Sequence, residues 1–168
     1  INKTENDTLF FKSEFNGGVK NNENFNLDFF YTINEDKKSV LGFEKSTFVL
    51  KNTAWKINPD QQNTDKIIFD LKNEEFNFSQ FKLVSGQQEI KFKGSLKGDS
   101  EKNLFANFTK VRLQSFLPEI DSLALRGRVS GNLDFIQNES IYKPEATLII
   151  KDFQVNDFKQ GVLAITII

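Results

Sequence analysis

The chain has 168 residues and a formal charge of −1, from 22 basic and 23 acidic side chains. That is one domain's length or a little more, with no basic field to hold nucleic acid. His, Cys and Met are all absent, which removes imidazole catalysis, thiol chemistry, disulfides, the usual zinc sites and haem ligation.

Period-two alternation begins at Phe25, Leu27, Phe29, Tyr31 and Ile33, with Asn26, Asp28, Phe30 and Thr32 between them. It returns at Ile67, Phe69 and Leu71, and again at Ile90, Phe92 and Leu96 with Gly94 on the apolar side. Leu123, Leu125, Val129, Leu133 and Phe135 continue it, against Arg126, Arg128, Asn132 and Asp134. Side chains on a strand point to opposite faces in turn, so these are strands with one apolar and one wet face. One wet face points to antiparallel pairing.

Turn signals stand at Asn16-Gly17-Gly18, Asn34-Glu35-Asp36, Pro59-Asp60, Ser85-Gly86, Gly98-Asp99, Asn138-Glu139, Lys143-Pro144 and Gln160-Gly161. They divide the chain into about twelve short strands. Helical spacing is confined to one short turn around Pro118, within Ser115–Ser122. The simplest division is a single all-β unit over 1–168. The chain starts at Ile1 and stops in mid-pattern at Ile168, so we expect a segment of a longer protein. The uncharged run Gly161–Ile168 is far short of the roughly 20 residues that span a bilayer.

A finer frame recurs, apolar-x-apolar-x-x-apolar-x-apolar. It covers Phe48, Leu50, Thr53 and Trp55, then Phe76, Phe78, Phe81 and Leu83. Ala106, Phe108, Val111 and Leu113 repeat it, as do Leu148, Ile150, Phe153 and Val155. A step of three flips the face of a strand. Keeping all four side chains together therefore requires a bulge or bend at Lys51-Asn52, Ser79-Gln80, Thr109-Lys110 and Lys151-Asp152. If the copies lie side by side, their bends align into a crease, and a creased sheet with one apolar face is a trough. The same alternation also suits the core of a closed β-sandwich.

The order of motifs in the C-terminal half bears on this choice. Leu123-x-Leu125-x-Gly127-x-Val129-x-Gly131-x-Leu133-x-Phe135 is followed by Tyr142-x-Pro144. Then come Leu148-x-Ile150-x-Asp152-Phe153-x-Val155-Asn156 and Gly161-x-Leu163-x-Ile165. This order resembles the TamB family, the AsmA-like translocation and assembly proteins of diderm bacteria. Upstream, Phe48-x-Leu50-x-Asn52-x-x-Trp55-x-Ile57, Ile67-x-Phe69 and the Phe81-to-Leu96 stretch resemble TamB-like chains of the Bacteroidetes type. The resemblance covers residues 43–168.

The resemblance implies a long periplasmic protein with an inner-membrane anchor outside this segment and a C-terminal region near the outer membrane. It implies a curved, mostly antiparallel sheet with a hydrophobic trough, the β-taco. It implies transport of phospholipid between the two membranes, or support of outer-membrane protein assembly with an Omp85-type partner. The expected partners are phospholipid acyl chains, with no nucleic acid. The expected lining is Phe48, Leu50, Trp55, Phe69, Phe76, Phe78, Phe81, Leu83, Phe92, Phe108, Val111, Leu113, Leu148, Ile150 and Phe153. The alternative is a β-sandwich adhesion or spacer module without a lipid path.

Catalysis, metal and cofactor find little in the residues. Asp60-x-x-Asn63-x-Asp65 lacks the spacing and the distal Glu of a calcium loop. Glu74-Glu75 are adjacent, so on a strand they face opposite ways rather than forming a glycosidase couple. Ser130 has the flanking letters of a nucleophile elbow but no His as base. Arg112, Arg126 and Arg128 suit phosphate headgroups, or carboxylates on a wet face. We therefore expect no enzyme and no cofactor. A segment of a continuous sheet leaves raw edges, so self-association through an edge strand is expected, above all at Val162–Ile168.

Overall fold

The computed structural model describes residues 8–17, 23–62, 64–117 and 122–168. The alternating segments form β1 (Leu9–Gly17), β2 (Glu23–Ile33), β3 (Ser39–Phe43), β4 (Ser46–Leu50), β5 (Thr53–Ile57) and β6 (Lys66–Asp70). They continue as β7 (Glu75–Ser85), β8 (Gln88–Lys97), β9 (Glu101–Arg112), β10 (Leu125–Asn138), β11 (Ile141–Val155) and β12 (Phe158–Ile167). A 3-10 turn, Leu113–Ser115, follows β9. All twelve strands join one antiparallel sheet, and it curves. The fold is thus the all-β curved sheet expected above, one sheet rather than two packed ones. The expected features at Ile1, Gly18, Asn63 and Pro118 lie outside the described residues.

From β7 to β12 the sheet is a plain meander, each strand pairing with the next. Between β2 and β7 it forks. β2 pairs with β4 through Phe25 and Asn26, and with β3 from Phe29 to Ile33. β7 in turn pairs with β6 over Glu75–Phe78 and with β5 at Leu83 and Val84. Two strand pairs, β3–β6 and β4–β5, thus bridge the same two long strands.

A fork leaves backbone groups without ladder partners, and buried polar groups must be satisfied. Side chains supply the missing bonds. Ser46 Oγ accepts the Asp28 N–H at 2.9 Å and lies 3.0 Å from the Asp28 carbonyl. Asp65 accepts the Lys82 N–H at 2.8 Å, and Asn58 donates to the Phe43 carbonyl at 2.8 Å. All three residues are buried.

The strands are longer than the turn signals suggest. Lys143-Pro144 is not a turn: Pro144 lies within β11, opposite Phe135. β12 pairs with β11 only from Ala146 onward, so proline's missing N–H falls where β11 lacks that neighbour. Gln160-Gly161 likewise lies inside β12, with Gly161 opposite the displaced Phe153. The turn is at Asn156-Asp157 instead. Leu71 falls in the turn after β6 and is exposed.

The recurrent frame has two structural causes. In β7, β9 and β11 it is a bulge: the register shifts between Phe78 and Phe81, opposite Val129 and Gly131, and between Ile150 and Phe153. At Phe48–Trp55 it is a hairpin. Lys51 and Asn52 both have positive φ, 46° and 58°, and close a tight turn between β4 and β5. The face is kept by reversing the chain rather than by bulging it. The bulged strands are also not neighbours, since β8 and β10 separate them. Along β8, the β7 bulge falls at Lys93, whereas Thr109 at the β9 bulge pairs with Glu89. The bends therefore step diagonally across the sheet, in place of the straight crease expected.

Candidate functional site

Cross-strand partners share a face, so the register defines rows across the sheet. One row runs Leu83, Ile90, Phe108, Gly131, Leu148, Ile165, and the next runs Phe81, Phe92, Ala106, Leu133, Ala146, Ile167. The same face continues through the other branch as Phe15, Phe25, Phe48 and Trp55. Facing rings stack within it: Phe15 on Phe25 with centroids 4.6 Å apart, Phe81 on Phe92 at 4.8 Å, Phe69 on Phe76 at 6.0 Å. Phe43 of β3 meets Phe81 of β7 edge-on at 5.8 Å. Gly131 (φ +135) lies between Phe108 and Leu148 and lets β10 and β11 approach closely. A Cβ there would come within 2.0 Å of the Thr147 carbonyl oxygen.

Every residue expected to line the trough lies on this face or, for Leu113 in the 3-10 turn, packs against it. Their burial is uneven. Trp55, Phe81, Val111 and Ile150 are buried, and the rest are half-buried. Leu104 and Leu133, on the same face, are each 38 % exposed. A closed core would have made them uniformly inaccessible.

The face also includes Phe25, Phe29, Phe43, Ile90, Val129 and Leu163, which the lining set leaves out. Alternation marks Phe25 and Phe29 as inward, but they lie outside the recurrent apolar frame. Phe43, the last residue of the short β3, carries no local signal.

At the end of the rows near Gln88 the apolar surface is closed by polar and aromatic contacts. Trp55 is fully buried, with the Phe116 ring edge-on to it at 5.2 Å. Beside it Thr53 Oγ1 and Ser115 Oγ are 3.2 Å apart, and Gln88 Oε1 accepts the Arg112 N–H at 2.8 Å. Lys51 Nζ donates to the Leu117 carbonyl, tying the segment after the 3-10 turn to the β4–β5 hairpin. Trp55 Nε1 has no hydrogen-bond partner among the described residues. A buried donor left so costs about 1–3 kcal/mol.

The opposite face is charged. Glu89 pairs with both Lys82 (3.6 Å) and Lys91 (3.0 Å). The hydrogen bond from Lys82 to Asp60 raises the Lys82 pKa above its ordinary value. Lys38 donates to Glu75 at 3.0 Å, which raises the lysine and lowers the carboxyl. The aromatic residues Phe30 and Phe105 on this side lie under Lys66 and Lys93, each 5.8 Å from the ring centre. Asp65 and Ser130 have structural uses here. Asp65 serves the fork, and Ser130 Oγ accepts the Lys110 N–H at 2.9 Å across the β9 bulge.

No family model matches the chain, and neither a curated protein nor a solved structure does.

Proposed function

We propose that the chain is a non-catalytic segment whose inner face carries phospholipid acyl chains. The carrying observation is the continuity of that face from β1 to β12, with most of its Phe and Leu side chains half-buried rather than sealed. Leaving a methylene in water costs about 0.8 kcal/mol, so a chain of methylenes gains steadily along an apolar strip. A path must also release its cargo. Many similar side chains, without matched polar groups, hold a chain at no single point.

Together with the likeness to the TamB family in residues 43–168, this reading makes the segment part of a periplasm-spanning protein anchored in the inner membrane. The cargo is lipid moving between inner and outer membrane, with an Omp85-type partner for the full-length chain.

The test is binding of a fluorescent fatty acid to the folded chain. Phe78→Glu and Phe108→Glu, at half-buried positions, are expected to weaken it at least about tenfold while the circular dichroism of the sheet is retained. No binding by the folded wild type overturns the proposal.

A further inference from the structure

On the charged face, near the ends of β9, β10 and β11, lies a cleft of about 510 Å³ whose lining includes Lys110, Arg112, Arg126, Arg128 and Asp152. The chain as a whole is nearly neutral, yet here four cations meet one carboxylate. Arg112 and Arg128 are register partners on adjacent strands. Like charges in that position repel, an arrangement a sheet gains nothing from unless something negative sits between them.

The acidic neighbours do not neutralise the group. Arg128 lies 3.0 Å from Asp152 and Arg126 lies 3.5 Å from Asp157, but all four side chains are more than half exposed. Such pairs contribute little and exchange readily. Among the described residues neither Arg112 nor Lys110 has a carboxylate within ion-pair distance. Arg112 Nη2 is 3.5 Å from Thr53 Oγ1, and Lys110 Nζ is 3.4 Å from Gln87 Oε1.

The backbone is shaped around the same spot. The bulges at Lys110 and Asp152, both with positive φ, border the cleft, and bulges commonly re-aim side chains beside functional sites. Between them Gly127 (φ +146) lets β10 lie close against β11. A Cβ there would come within 2.7 Å of Ile150 Cγ2.

We infer that this cleft binds a phosphate-class oxyanion, held by Arg112, Arg126 and Arg128 with Lys110 at its edge. Guanidinium groups present paired donors that match the oxygens of phosphate, and they stay charged at any physiological pH. The inference does not depend on the acyl reading. On the other side of the same strands Val111, Val129 and Ile150 belong to the buried apolar cluster, so the cleft meets the apolar face only at its closed end, through Gln88 and Thr53. The phosphate is either free in solution or the headgroup of a lipid.

The test compares the wild-type chain with the double variant Arg112→Gln/Arg128→Gln at constant ionic strength set by chloride. One arm titrates inorganic phosphate and follows backbone amide NMR shifts. The other measures co-sedimentation with phosphatidylcholine vesicles, with and without phosphatidic acid. Shifts centred on Arg112 and Gly127 with inorganic phosphate, weakened at least about tenfold in the double variant, identify a site for free phosphate. Binding confined to vesicles containing phosphatidic acid, and lost in the variant, identifies a headgroup site. Equal responses of wild type and variant in both arms overturn the inference. Fatty-acid binding by the apolar face should be the same in both proteins, so failure of one proposal is distinguishable from failure of the other.

Discussion

Ser46 takes the place of a strand for Asp28. Its Oγ accepts the Asp28 N–H at 2.9 Å and lies 3.0 Å from the Asp28 carbonyl, with the Glu44 carbonyl at 3.1 Å. Asp28 stands in the gap between the β2 residues that pair with β4 and those that pair with β3. The hydroxyl satisfies the Asp28 N–H there, and the Glu44 N–H donates to the Asp28 carbonyl at 2.9 Å.

Ser46→Ala is therefore expected to leave the Asp28 N–H without its partner in a site water does not reach, at a cost of about 1–3 kcal/mol, while the Asp28 carbonyl keeps the Glu44 N–H at 2.9 Å. Urea denaturation measures the loss, and faster hydrogen exchange at the Asp28 amide locates it. Unchanged stability with unchanged exchange would show that the fork does not need the hydroxyl.

The ion pair across the other arm of the fork sets a pH dependence. The hydrogen bond from Lys38, followed by its charge, holds the Glu75 carboxyl below the usual carboxylate range. The same bond, followed by the charge of Glu75, raises Lys38. A lowered carboxyl contributes stability above its unfolded pKa, and that contribution is lost as pH falls through the folded value. A raised lysine contributes below its unfolded pKa, and that contribution is lost as pH rises through the folded value. Glu75→Gln should lower the urea midpoint at neutral pH. The difference from wild type should shrink between about pH 5 and about pH 2, and again above about pH 11. A difference constant with pH would mean that the substitution acts by packing.

The sheet ends in two strands, each paired on one side only among the described residues: β1 with β2, and β12 with β11. On β12, Phe158 is 72 % and Val162 67 % exposed. An open apolar edge is a template for another chain. Sedimentation velocity should show the wild type associating as concentration rises, and Val162→Lys remaining monomeric at higher concentration. A wild type that stays monomeric throughout would contradict edge pairing.

How far these features can be read from the sequence depends on their range. The faces of the long strands from β2 onward are legible, because alternation is local and a bulge leaves a step of three in the apolar spacing; β1 carries no such reading. Spacing alone puts Phe78 and Phe81 on one face. A hairpin leaves the same trace, so Phe48–Trp55 could not be told from a bulge by spacing. The fork was not legible at all. It depends on Ser46, Asn58 and Asp65 meeting the backbones of Asp28, Phe43 and Lys82, residues distant in sequence, and each is an ordinary polar letter in its own segment. Pro144 and Gly161 misled for the opposite reason. Both are turn formers by local chemistry, but the extent of pairing along β11 and the β11 bulge make room for them inside strands.

The central claim, that acyl chains lie along the inner face and not elsewhere, is most directly tested with tryptophan reporters and phosphatidylcholine brominated along its acyl chain. The single Trp55 is first replaced by Phe. A tryptophan is then placed at Phe92, half-buried on the inner face, or at Phe105, half-buried on the charged face. Bromine quenches fluorescence at contact range. The expected result is strong quenching of Phe92→Trp and little quenching of Phe105→Trp. Equal quenching at both positions, or none at Phe92→Trp in a folded sample, would contradict the account.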